Sequence, residues 1–133
     1  MYMSKIWVNG CFDVLHIGHI RLFKYAKSLG GFLRVGTDSD ERIKQNKGRD
    51  RPYNNQDIRV EFLNSIGYID EVVVFNSDEE LENCIKTFSP KLIVIGDEYK
   101  NKQIIGQEHA EGITFFTKVD NYSTSSILNG DKL

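Results

Sequence analysis

His16, Ile17, Gly18 and His19 set two imidazoles around one glycine, between a short apolar run, Ile6 to Val8, and a helix-like run that follows. A helix N-terminus carries unpaired N–H groups and the positive end of a dipole, and so favours an anion. Glycine lets a bulky phosphate approach the backbone, and imidazoles donate hydrogen bonds to phosphate oxygens as charge builds there. Two histidines three apart also serve as surface or helix-capping residues, so the rest of the chain decides between the readings. Lys44, Lys47, Arg49 and Arg51, with Gly48 and Pro52, make the stretch from Lys44 to Asn55 cationic, and Arg59 follows on the next helical run. Read as a long irregular connection, that stretch is expected to clamp a triphosphate and close over it. Ser123, Thr124, Ser125 and Ser126 precede Ile127 and Leu128 at what reads as the start of a last helix. Hydroxyls there cap the helix and donate to a phosphate lying on its N-terminus.

The elements that must position these groups are legible as short runs. Lys5 to Val8, Phe32 to Gly36, Val72 to Phe75, Leu92 to Ile95 and Ile113 to Phe116 are rich in Val, Ile and Phe, each near the length of one buried strand. Ile20, Phe23, Ala26 and Leu29 form an apolar stripe at helical spacing, ended by Gly30 and Gly31. Ile58, Phe62, Leu63 and Ile66 form another before Gly67, and Leu81, Cys84, Ile85 and Phe88 a third before Pro90. One helix between each pair of strands, including a helical connection between the fourth and fifth, predicts right-handed crossovers. The expected fold is a single α/β domain over residues 1–133, a doubly wound, Rossmann-like parallel sheet with helices on both faces. Ligands of such sheets bind beyond the carboxyl ends of the strands. Asn9 to His19, Thr37 to Asp40, Gly96 to Lys100 and Asn121 to Ser126 all fall there.

Composition excludes several other classes. The chain has 133 residues, 40% hydrophobic and 27% charged, with a net charge of -2, which describes an ordinary globular domain with no basic excess to neutralise a nucleic-acid backbone. Cys11 and Cys84 lie far apart without a paired or His-flanked pattern, so both are expected to be reduced and buried. No window is long and apolar enough to cross a bilayer, and a cytoplasmic location is expected. A one-domain enzyme of this size often builds its site with a partner subunit, so a homodimer is expected.

Asn9-Gly10-Cys11-Phe12-Asp13 leading into His16-Ile17-Gly18-His19, and Ser123-Thr124-Ser125-Ser126 late in the chain, resemble the signatures of the cytidylyltransferase-like nucleotidyltransferases. Those enzymes carry an H-x-G-H motif early and a hydroxyl motif late, and the resemblance runs from about Ile6 to Leu128. Two branches look closest. The branch that activates heptose 1-phosphate with ATP shares the look of Lys47-Gly48-x-x-Arg51-Pro52-x-Asn54, of Arg59, and of Gly96-x-x-Tyr99-Lys100 with Ile104 and Gly106. Glycerol-3-phosphate cytidylyltransferases carry a Gly-Asp-Asp-Trp similar to Gly96-Asp97-Glu98-Tyr99, and an arginine where Lys118 stands here. Lysine keeps that charge and loses the planar fork. Asn121 and Tyr122 replace the glycine-led pair usual ahead of the hydroxyls.

The resemblance implies an enzyme that transfers a nucleoside monophosphate from ATP or CTP to a phosphorylated sugar or polyol, releasing pyrophosphate. A non-catalytic nucleotide-binding module is the reading from another class. By resemblance, His16 and His19 stabilise the α-phosphate and the leaving pyrophosphate, Lys44 or Lys47 approaches from the cationic stretch, and Arg59 holds the acceptor or the triphosphate. Gly10, Cys11, Phe12, Asp13, Gly18, Gly96, Asp97, Lys118, Tyr122, Ser123, Thr124 and Ser125 are expected around the nucleotide, and Asp38, Arg51, Tyr99 and Lys100 around the acceptor. Mg²⁺ or another divalent cation is expected with the triphosphate, with Asp13 as its candidate protein ligand, because a hard cation bridging phosphates prefers oxygen.

Overall fold

The five Val-, Ile- and Phe-rich runs form strands and pair in one sheet. The structure is a computed structural model that describes residues 3–117. Its strands are β1 (Ser4–Gly10), β2 (Gly31–Asp38), β3 (Glu71–Phe75), β4 (Leu92–Gly96) and β5 (Gly112–Phe116), in the order β3-β2-β1-β4-β5. Every neighbouring pair is parallel, with Val8 opposite Val35 on one side of β1 and Trp7 opposite Ile93 on the other. The helices are α1 (Ile17–Gly30), α2 (Asp40–Lys47), α3 (Gln56–Asn64) and α4 (Asp78–Phe88).

Strand alternation divides the core between two faces. Ile6 and Val8 point into a cluster with Phe23 and Ala26 of α1 and Leu63 of α3. Trp7, between them, points the other way and packs with Leu81, Ile85 and Phe88 of α4. Helices therefore cover both faces, as a parallel sheet with apolar residues on each side requires. The chain leaves β1 toward β2 and later crosses to β4 on its other side, so the strand order reverses between β1 and β4. The loops after those two strands diverge there and open a crevice at the carboxyl edge.

Two expectations about connections are corrected. Residues from Lys44 do not begin an irregular stretch: Lys44 and Lys47 form the last turn of α2. Ser39 caps α2 by accepting from the Arg42 amide, Asp40 and Glu41 sit at its positive end, and Gly48 ends it at φ 100°. Only Ile43 of this helix is buried, so its eight residues carry no apolar stripe to be read. Between β4 and β5 the expected helix is replaced by two short 3₁₀ turns, Asp97–Tyr99 and Gln107–His109. Cys11 and Cys84 are free thiols as expected, but half-buried. Among the described residues no helix is long and apolar enough to cross a membrane.

Gly36 is set by packing. A Cβ there would lie 2.6 and 2.8 Å from two atoms of the Trp7 indole and 3.1 Å from the Phe75 ring. Both rings are buried and cannot yield. Gly36→Ala should therefore cost about 1–3 kcal/mol of unfolding free energy in urea titrations. At Gly67 an added Cβ meets nothing within 4 Å, so Gly67→Ala should change stability by no more than about 0.5 kcal/mol in the same assay.

Candidate active site

His16 is the residue at which β1's exit loop becomes α1. Its backbone is extended, and its Nδ1 accepts from the Gly18 amide at 3.1 Å. The His16 amide in turn donates to Nδ1 of His19 at 3.2 Å, and the two rings stack with centroids 3.9 Å apart. This is a capping box built from imidazoles in place of a hydroxyl and a carboxylate. With both Nδ1 atoms accepting, each neutral ring carries its proton on Nε2. Capping therefore fixes the tautomer of each neutral ring.

Phe12 holds this arrangement from below. Its backbone sits in the left-handed region at φ 49°, unusual for an aromatic residue. Its buried ring packs edge-on against His19 at 5.4 Å and Phe23 at 5.2 Å. Gly10 makes room for it, since a Cβ at Gly10 would lie 2.9 Å from the Phe12 ring. Gly10 and Phe12 thus shape the loop through packing. Cys11 serves through its carbonyl, which accepts from Thr37 Oγ1 at 2.9 Å and from Arg59 at 3.0 Å. Burial pushes the Cys11 thiol up, and the charge of Lys47 pulls it the other way, which places the Lys47 ammonium within electrostatic reach of this loop.

Asp13 and Arg59 are both held by other groups of the protein. Asp13 is 1% exposed. Its Oδ2 accepts from Arg51 Nε at 2.7 Å and from the Tyr53 amide at 2.8 Å, and its Oδ1 accepts from the Asn54 amide at 2.8 Å. A carboxylate facing a guanidinium and two amides has its lone pairs turned into the protein, so Asp13 does not fit a divalent-metal or ribose ligand. Arg59, also 1% exposed, donates to the carbonyls of Cys11, Asp38 and Asn54, to Thr37 Oγ1 and to the Asp40 carboxylate. Its partners are protein groups of the loops after β1 and β2 and of the connection into α3. Sequence reading missed Thr37, fully buried between Cys11 and Arg59, and the clasp of Asn54 on Asp13. Neither shows a spacing signal, because the partners stand 22 to 41 residues apart.

The remaining cations and acids spread around this hub. Lys44 and Lys47 are exposed at the carboxyl end of α2. Arg51 reaches Asp13 through Nε, while its buried Nη2 has no hydrogen-bond partner among the described residues. Asp38 is half-buried and pairs with Arg42 Nε at 2.7 Å. On the other side of the crevice, Gly96 ends β4 and Asp97 starts the first 3₁₀ turn, half-buried. Tyr99 is exposed with Lys102 over its ring, and Lys100 lies 6.0 Å from the Phe115 ring centroid. Gly18 is the second residue of α1. Lys118, Tyr122, Ser123, Thr124 and Ser125 lie outside the described residues.

A parallel sheet with a phosphate-type helix N-terminus and two Nε2–H imidazoles at its switch point defines a nucleotide-handling enzyme. A family model described as cytidylyltransferase-like matches residues 7–129, and the chain belongs to that family of nucleotidyltransferases. The protein called bifunctional protein HldE of Campylobacter fetus subsp. fetus is 40% identical over 126 residues, which are 95% of this chain and 27% of that protein. Its Helicobacter hepaticus counterpart is also 40% identical over 126 residues, 94% of this chain and 26% of its own length. The chain thus spans about a quarter of the length of the curated relatives it matches. A lipopolysaccharide core biosynthesis protein from Thermoplasma volcanium shares the fold, with a TM-score of 0.67 at 22% identity over 91% of this chain and 99% of that one.

Burial by itself would raise the Asp13 carboxyl, but the Asn54 and Tyr53 amides and Arg51 together hold it below its ordinary value. A carboxyl depressed on folding stabilises the native state fully above its unfolded pKa of about 4, and that contribution fades as pH falls through the lower folded value. Asp13→Asn should cost about 2–3 kcal/mol at neutral pH, somewhat less than breaking a fully buried pair because Arg51 keeps partial exposure. The gap between wild type and variant should narrow steadily below about pH 4 in denaturant titrations.

Proposed function

We propose that the domain transfers the adenylyl group of ATP to a sugar 1-phosphate of the heptose class and releases pyrophosphate. The observation that carries this reading is the imidazole pair at the N-terminus of α1, with both Nδ1 atoms engaged and Nε2–H on the opposite side of each ring. It is supported by 40% identity to relatives named bifunctional protein HldE and by the run of matched spacing from Lys47 through Arg59, Tyr99 and Lys100.

An oxygen of the acceptor phosphate attacks the α-phosphorus in line, the new P–O bond forms as the α–β bridging bond breaks, and pyrophosphate leaves with the bridging oxygen. No protein nucleophile is needed, so catalysis is positioning plus neutralisation of spreading charge. His16 and His19 donate from Nε2 to the oxygens that gain charge, and the α1 N-terminus adds its dipole. Lys44 and Lys47, at the end of α2, neutralise the departing phosphates, and Arg51 brings a cation beside Asp13. Gly96 and Asp97 are assigned to the nucleotide and Tyr99 and Lys100 to the acceptor, and the resemblance assigns Lys118, Tyr122, Ser123, Thr124 and Ser125 to the nucleotide. A divalent cation such as Mg²⁺, bound with the triphosphate, would supply further neutralisation of its charge. We further propose that the chain acts as a cytoplasmic homodimer, on the ground that one domain of this size commonly completes its site with a second copy.

Gly96-Asp97 and the cation at Lys118 favour the alternative donor CTP with glycerol 3-phosphate. A pyrophosphate-release screen of the four triphosphates against heptose 1-phosphate and glycerol 3-phosphate should single out ATP with the heptose. Calorimetry should agree, because a site built for one base edge rejects another whose partners go unpaired. Binding of CTP alone, abolished by Lys118→Ala, would refute the adenylyl assignment. His19→Asn keeps a side-chain oxygen for the His16 amide and removes the Nε2–H. It should lower kcat about a hundredfold, or about 2.7 kcal/mol of transition-state stabilisation, with the fold retained by circular dichroism.

A further inference from the structure

Three consecutive amides, Asn54, Asn55 and Gln56, join the cationic connection to α3, and each side chain goes somewhere different. Asn55 caps α3 by accepting from the Ile58 amide, and Gln56 Oε1 accepts from the Asp40 amide. Asn54 alone of the three faces the histidine loop. Its Nδ2 donates to the Asp13 carbonyl at 2.7 Å, its backbone N–H donates to Asp13 Oδ1 at 2.8 Å, and its carbonyl accepts from Arg59 Nε at 3.0 Å. The two bonds to Asp13 act on different things. The carboxylate is already held by Arg51 and the Tyr53 amide, whereas the side-chain bond fixes the carbonyl and so the plane of the Asp13–Val14 peptide. That plane lies between Phe12, whose φ of 49° sets the direction of the loop, and His16. Rotating it would carry His16 with it, and His19 would follow through the shared capping box and stacked rings.

We propose that Asn54 is a positioning residue for the imidazole pair, acting through the Asp13 carbonyl and never touching substrate. The kinetic part of this inference rests on the nucleotidyl-transfer reading, and the structural part does not. Asn54→Ala removes only the side-chain donor and leaves the backbone bonds to Asp13 and Arg59. Asn55→Ala, which removes the α3 cap, is the matched stability control.

The test has two readouts on the intact chain: the ring resonances of His16 and His19 by NMR without nucleotide, and steady-state kinetics per folded molecule with ATP and heptose 1-phosphate. Asn54→Ala should move the resonances of both rings and lower kcat by about tenfold to a hundredfold, with a smaller change in KM for the triphosphate. Asn55→Ala should do neither beyond its effect on the folded fraction. Unmoved resonances in Asn54→Ala overturn the proposal, as do moved resonances with kcat equal to that of the Asn55→Ala control. Should Asn54→Ala fail to fold, Asn54→Asp, of the same shape without the donor, carries the same test. If the wild-type chain turns over no triphosphate with any sugar or polyol phosphate, the activity reading falls, and the resonances alone decide the positioning role.

Discussion

A guanidinium and a carboxylate, Arg59 and Asp13, are each 1% exposed, and a buried charge without partners costs several kcal/mol. The rest of the site follows from how those partners are found. Arg59 takes carbonyls from three different segments, and Asp13 takes amides and a guanidinium from one of those same segments, the connection into α3, 38 to 41 residues away. The loops after β1 and β2 and the connection into α3 have no strand ladder to hold them to one another. The two charges supply that connection instead, and none of these segments can shift without leaving one of the charges unpaired.

The same economy operates at the start of α1. A helix end must satisfy its first amides, and here imidazole Nδ1 atoms do so. A phosphate site needs donors aimed outward, and the capped tautomer puts N–H on the far side of each ring. The cap and the remaining N–H therefore use opposite edges of the same side chains. Phe12 braces His19 from within the core, and the absence of a Cβ at Gly10 leaves its ring the space to do so. The left-handed backbone at Phe12, a strained conformation for a bulky residue, is retained because the buried ring and the loop's hydrogen bonds determine it together.

The sheet decides where these devices stand. With β1 central and β2 and β4 on its two sides, the strand order reverses between β1 and β4, and the loops that leave their carboxyl ends lie at the switch point. Trp7 and Ile6 send the core to opposite faces from adjacent positions of β1. The central strand is consequently fixed from above and below, which makes its carboxyl end a firm base for the loop that follows.

All five strands, three of the helices and the placement of the imidazole pair at a helix start were legible in the sequence, because periodicity and local capping chemistry are short-range properties. Family membership was legible for the same reason, since H-x-G-H is a contiguous motif. The α2 helix escaped because only Ile43 of its eight residues is buried, so capping and charge define it and no stripe marks it. What Asp13, Arg59, Thr37 and Asn54 do was decided by the tertiary structure alone. From the sequence, a carboxylate and an arginine near a phosphate motif read as ligands of substrate and metal. Folding pairs them with protein groups that stand far away in the chain, because burial makes an unpaired charge costly.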